Sequence, residues 1–413
     1  MVVRVSMTTG RRHRANPARA PRAIWVTMVI ALFVLVPVAQ AADSGHRTAT
    51  RRTHHARRRA AVRTHRTRRP HHSVRRRARR VKNHHRHVAR RTHRARIALA
   101  VRRLAHPTPA VPVISGTTYY VSPEGSDANP GTSPGQAWRT VGRVNAQVLR
   151  PGDGVLFEGG YSYGDSDLEP GSSGSAGHPI VFGSYGQGDA VLAQGAWFVQ
   201  NDLTFDHLKF EKTLFGGSQS QGTSNDITVQ NCDFSLPAGN QQLGLFGNGS
   251  GWVIANNTIE NTGLSGMLLW GEGYVVTGNT ITNVGLYDAG YNAHGIYLDA
   301  SNSLIAQNTI TNFSESAVSA RYRASTIQDN YMSGGQIGID FYQTDSQAAT
   351  SHWSDNTITH TTAAGIYVSD DGDYTLRESF VITGNTITPT TGPLTNLRAH
   401  TTGRYAVSGN RAS

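Results

Sequence analysis

Cysteine is almost missing from this 413-residue chain: Cys232 is the only one, which excludes an internal disulfide framework. Acid is nearly missing from the first 116 residues, where Asp43 stands against 29 Lys and Arg, a net +28. Lysine is nearly missing from the rest, which has only Lys209 and Lys212 and a net −15. The overall +13 therefore sums a basic arm and an acidic body. Long apolar runs are missing too. The best, residues 24–36 (IWVTMVIALFVLV), is short for a spanning helix but suits the core of a signal segment. No phosphate-cradling loop, nucleophile elbow or zinc-ligand spacing is present.

The apolar stretch follows Arg22 and is followed by Pro37 and Ala39-Gln40-Ala41, a small-x-small cleavage pattern. Residues 1–41 read as a signal peptide or an uncleaved membrane anchor, and the protein as secreted or attached to the cell envelope. Residues 42–116 read as a disordered Arg/His-rich arm ending in a Pro-containing linker, because dense like charge without hydrophobic period cannot collapse. The arm suits an anionic polymer or envelope surface, held through salt-sensitive attraction; a plain soluble spacer is the other reading. Specific nucleic-acid recognition is not expected, and the chain is read as a monomer.

What the body does have is asparagine at a steady interval. Asn257, Asn279, Asn308, Asn356 and Asn385 each open Asn-Thr-Ile, with Asn330 and Asn410 as looser copies. A period of this size in β-branched, aromatic and turn residues signals a solenoid of strands. Stacked amides would hydrogen-bond from coil to coil inside it. Cys232 sits two residues before Phe234, as Asn257 sits two before Ile259, so it reads as a buried member of that stack.

Ahead of the repeats, TTYYV (117–121) and VLFEGG read as strands. Trp138, Val141, Val144 and Val148 fall at helical spacing, a short helix suited to capping the open end of a solenoid. The stretches YYVSPEGSDANPGT, RPGDGVLFEGG and GSAGHPIVFGSYG, with the repeated Gly-Ile-Tyr and Asn-Thr-Ile steps, resemble secreted right-handed parallel β-helix proteins of the pectate-lyase-like superfamily. The resemblance covers roughly residues 117–413. It implies an all-β right-handed parallel β-helix and does not name a reaction, since the superfamily holds polysaccharide lyases, glycoside hydrolases, uronate epimerases and non-enzymatic surface proteins.

The coils also align internally. Leu245, Met267, Ile296 and Val318 each lie 12 residues before a stacked Asn; Ile339 and Ile366 occupy the same place ahead of longer loops. If these point inward, strand alternation sends the next residue outward: Phe246, Leu268, Tyr297, Ser319, Asp340, Tyr367. Two positions further stand Asn248, Trp270, Asp299, Arg321, Tyr342 and Ser369. Aromatics beside carboxylates suit sugar rings, so Trp270, Tyr297, Tyr342 and Tyr367 are the candidate substrate-binding residues. A purely structural ladder, with Asp299 and Arg321 as an ion pair, is the competing account. Insertions near 285–293 and 369–378 border the same column, where solenoids carry binding loops.

Asp299, Arg321 and Asp340 are the candidate catalytic residues. Two aspartates two coils apart suit an inverting acid/base pair. Arg321 beside a uronate would suit β-elimination, as the resemblance implies for superfamily lyases that use Arg or Lys beside acid-bound calcium; the scarcity of Lys departs from a Lys-based version. His294 reads as a satisfied structural histidine. Asp370, Asp371 and Asp373 could supply oxygen ligands to calcium, or form an ordinary polar turn. Asp340→Asn is expected to lower turnover and leave the melting temperature nearly unchanged. The function expected is polysaccharide binding and cleavage, with a non-catalytic adhesion solenoid as the alternative.

Overall fold

The computed structural model describes residues 111–287, 293–342, 348–369, 378–398 and 404–412. The signal or anchor segment, the basic arm to residue 110 and the loop of Asp370, Asp371 and Asp373 lie outside these. So do most of the two insertions expected to wall the site.

Three parallel sheets wind around one core. The first has 12 strands, from Thr118–Val121 to Arg404–Ser408; the second has 11, from Ser162–Tyr163 to Arg411–Ala412; the third has nine, from Ala196–Phe198 to Thr395–Arg398. From Ala196 onward most coils contribute one strand to each sheet, while the first turns lack a strand in the third, and neighbours pair in parallel. The alternation in each short strand sends one aliphatic column inward per sheet. Ile254, Val276, Ile305 and Ile327 come from the first sheet; Ile259, Ile281, Ile310 and Ile358 from the second; Leu245, Met267, Ile296 and Val318 from the third, all fully buried. The Ile of each Asn-Thr-Ile step is thus a core residue, stabilising by about 1.5–3 kcal/mol through burial.

The asparagines make the corner between the first and second sheets. One residue before each takes positive φ (Asn256 56°, Gly278 68°, Gln307 57°, Asp329 55°, Asp355 57°), which bends the chain sharply. The following Asn then turns inward. Its Nδ2 donates to the Oδ1 of the next coil's Asn: Asn257 to Asn279 at 2.9 Å, Asn279 to Asn308 at 2.9 Å, Asn308 to Asn330 at 3.0 Å, and on through Asn356, Asn385 and Asn410. Each backbone N–H joins the same acceptor, so a buried polar column is satisfied along its length.

Cys232 ends this column as expected: its N–H donates to Asn257 Oδ1 at 2.9 Å and its side chain is buried. Burial pushes its thiol pKa well above the usual range. Since the thiolate is the reactive species, Cys232 should resist thiol reagents in the folded protein and react only on unfolding. Rapid labelling in native buffer would contradict the buried register.

Coils before the ladder are held by aromatic stacking in place of an Asn repeat. Phe205 stacks on Phe182 (5.5 Å) and Phe198 (5.1 Å), and Phe210 on Phe234 (5.0 Å). The expected helix is shorter than its apolar spacing suggests, covering Val141–Asn145 with Thr140 capping the Arg143 N–H. Trp138, Val141 and Val144 are buried, but Val148 is exposed, because the helix stops at Asn145 and Leu149 turns inward instead.

At the corner into the third sheet the sequence places Gly. A Cβ at Gly266 would come within 2.7 Å of the Gly295 carbonyl and 2.9 Å of Ile281 Cγ2, so close coil approach accounts for this glycine.

Candidate active site

The third sheet carries the candidate residues, and its register follows the expected alignment. Leu245, Met267, Ile296, Val318, Ile339 and Ile366 pair in turn. Phe246, Leu268, Tyr297, Ser319, Asp340 and Tyr367 pair in turn as the adjacent column. Trp270 pairs with Asp299, and Tyr342 with Ser369. Arg321 follows Ala320, whose partner is Phe341, so it stands level with Tyr342.

These outward side chains interlock. Arg321 Nη1 donates to the Tyr297 hydroxyl at 3.1 Å, and its guanidinium lies 5.8 Å from the Tyr297 ring and 5.6 Å from the Tyr342 ring. Tyr342 and Tyr367 lie 5.7 Å apart, and Trp270 meets Phe246 edge-on at 5.6 Å. The sheet therefore presents aromatic surface on both sides of one arginine. The expected Asp299–Arg321 pairing takes the form of a field effect: the Arg321 charge lowers the pKa of Asp299 against a larger upward push from burial, which leaves it at about 6.

Asp340 is the buried member. Alternation points it away from the core, yet it is only 2 % exposed. Burial raises its pKa to about 7; the Ser319 and Ser316 hydroxyls and the Arg321 charge pull it back, while Glu315 adds to the rise. Neither serine closes a well-formed hydrogen bond on Asp340 Oδ1, which has no partner. A carboxyl held this way still carries its proton in part at neutral pH, where an ordinary aspartate has lost it. Asp299 and Asp340 are two strands and two residues apart, about 12 Å between Cα atoms at the usual spacings. Ser319 and Arg321 of the intervening strand stand between them.

His294 departs from the expectation of a satisfied structural residue. Its side chain is buried, but Nδ1 has no hydrogen-bond partner, and Nε2 lies 4.0 Å from Glu315 Oε2. The ring stacks on Tyr297 at 5.0 Å, on the flank of the outward column. Burial, aided by the Arg321 charge, lowers its pKa to about 3, so it is neutral. Glu315, Ser316 and the role of Ser319 escape the sequence reading. One signal was present: Glu315 holds the position three before Val318, where the aligned coils carry Gln242, Leu264, Ala293, Gln336 and Ala363, all uncharged. Among the described residues no group of three or more His, Cys, Asp or Glu is placed to hold a metal.

Residues 218–387 match the family model described as the right handed beta helix region. Over 79 residues, 18% of this chain, the sequence is 46% identical to lacto-N-biosidase of Bifidobacterium longum subsp. longum; the match spans 5% of that relative's length. Among solved structures, GH136 lacto-N-biosidase from Eubacterium ramulus is similar with TM-score 0.47 and 16% identity, over 72% of this chain and 68% of that one. Pectate lyase Pel9A is similar with TM-score 0.45 and 14% identity, over 73% and 80%. The family match spans the asparagine ladder from Asn257 to Asn385 and the outward columns of the third sheet. Residues 218–387 are therefore a right-handed parallel β-helix, wound in three parallel sheets.

Proposed function

We propose that the body binds a saccharide chain across the outer face of the third sheet and hydrolyses a glycosidic bond with inversion. The observation that carries this is the pairing of Asp340, buried and poised at about 7, with Asp299, poised at about 6, on one aromatic face. Asp340 gives its proton to the glycosidic oxygen as the bond to the anomeric carbon breaks. Asp299 takes a proton from the water that attacks that carbon from the opposite side. With about 12 Å between their Cα atoms, the two side chains would lean towards each other to bracket that water, and a covalent route would need a closer pair still. Tyr297, Tyr342, Tyr367 and Trp270 offer apolar faces to the sugar rings. The stretch shared with lacto-N-biosidase supports a carbohydrate-active role.

The test is a panel of defined oligosaccharides incubated with the body. New reducing ends with inverted anomeric configuration, followed by NMR, are expected. An ultraviolet-absorbing unsaturated uronate would instead assign β-elimination around Arg321, and binding without cleavage would assign a non-catalytic surface protein.

The pH dependence follows from the two carboxyls. Asp299 must be ionised and Asp340 protonated, so kcat/KM should trace a narrow bell with limbs near 6 and 7. A flat profile from pH 5 to 9 would exclude this pair.

A further inference from the structure

We infer that this face selects a neutral saccharide and rejects polymers of uronic acid. The inference rests on the proposed saccharide-binding role and adds a substrate class to it. Across the two outward columns from Phe246 to Ser369, Arg321 is the one cation, against Asp299 and Asp340, with Glu315 on their flank. His294 supplies no positive charge while it is neutral.

Arg321 is also partly engaged. A sugar carboxylate is captured best by a guanidinium that can offer two parallel N–H groups. Here one of those groups donates to Tyr297, the two tyrosine rings lie beside the guanidinium, and its charge already acts on both Asp299 and Asp340. A uronate bound along this face would bring a further negative charge towards Asp299 in a partly desolvated setting, where like charges repel strongly. A neutral ring meets no such opposition. Its C–H face lies on the tyrosines, and its hydroxyls can donate to the partly exposed Asp299.

The experiment measures retention of neutral and uronate-containing oligosaccharides on the immobilised full chain at low and moderate salt, in parallel with the cleavage panel. Neutral glycans should be retained with little salt dependence, with uronates weaker by about 100-fold. Asp299→Asn should narrow that gap, a change that loss of packing would not produce. Preferential retention of uronates, removed by salt and by Arg321→Gln, would overturn the inference while leaving the saccharide-binding face in place. Neutral glycans bound but never cleaved would remove the hydrolytic reading and keep the substrate class. Retention of neither class would overturn both. Uronate binding unaffected by Arg321→Gln would point to the basic arm; repeating the measurement with free arm peptide as competitor separates that contribution, and neutral selectivity must persist under competition.

Discussion

Asp340→Asn is expected to lower turnover by about 10²–10⁴-fold, the usual contribution of a positioned acid. The alkaline limb of the pH profile should vanish with it, because the amide cannot donate the proton that Asp340 holds up to about pH 7. The stability half of the original expectation changes. A melting temperature nearly untouched would suit an exposed residue, but Asp340 is 2 % exposed and its Oδ1 lacks a partner. Its folded pKa of about 7 stands above the ordinary 3.8, so the native state holds the proton more tightly than the unfolded chain. That contribution is full below about pH 4 and is lost as pH rises through 7. Above it, keeping the ionised carboxylate buried costs up to about 4 kcal/mol. The Asn variant carries no such charge. Urea unfolding should show it near wild type at pH 4.5 and more stable by about 2–4 kcal/mol at pH 8. A variant less stable than wild type at pH 8 would mean that the folded protein satisfies the carboxylate.

Asn308→Ala should destabilise the body by about 3 kcal/mol or more, because it orphans several buried groups at once. Asn308 Nδ2 donates to Asn330 Oδ1, Val276 O and Ala306 O, each at 3.0 Å. Its Oδ1 accepts from both the backbone N–H and the Nδ2 of Asn279. Alanine removes all five bonds from the middle of the column. An isolated surface amide would cost far less, and Asp would keep the acceptor while losing the donors. Chemical denaturation of the Ala and Asp variants measures both, with Asp expected between wild type and Ala if its charge is tolerated. A loss below about 0.5 kcal/mol for Ala would be ordinary for a surface site and would contradict the buried ladder.

Several features were legible because the solenoid repeats its local chemistry. The Asn column, the inward aliphatic columns and the outward pairing from Phe246 to Tyr367 follow from spacing and strand alternation alone. The first coils were less legible because stacked Phe rings replace Asn there, and stacked aromatics carry no fixed sequence interval. Val148 was misplaced since periodicity does not mark where a helix of one turn and a half gives out. Membership of the candidate site was only partly legible. Tyr297, Asp299, Arg321, Asp340 and Tyr342 share a column or its neighbour, so alignment brings them together. His294 and Glu315 join from the corner between sheets, where alternation gives no orientation.

By itself the sequence determined that residues 257–410 form stacked coils and which side chains leave the core on the third sheet, because a period-two strand admits only two faces. Tertiary structure alone decided the electrostatics of that face. Asp340 and Asp299 occupy similar outward positions in sequence, but only packing shows that one is almost wholly buried beside Ser319 and Glu315. Burial withdraws water from the charged form, and that desolvation separates an acid poised near 7 from one poised near 6.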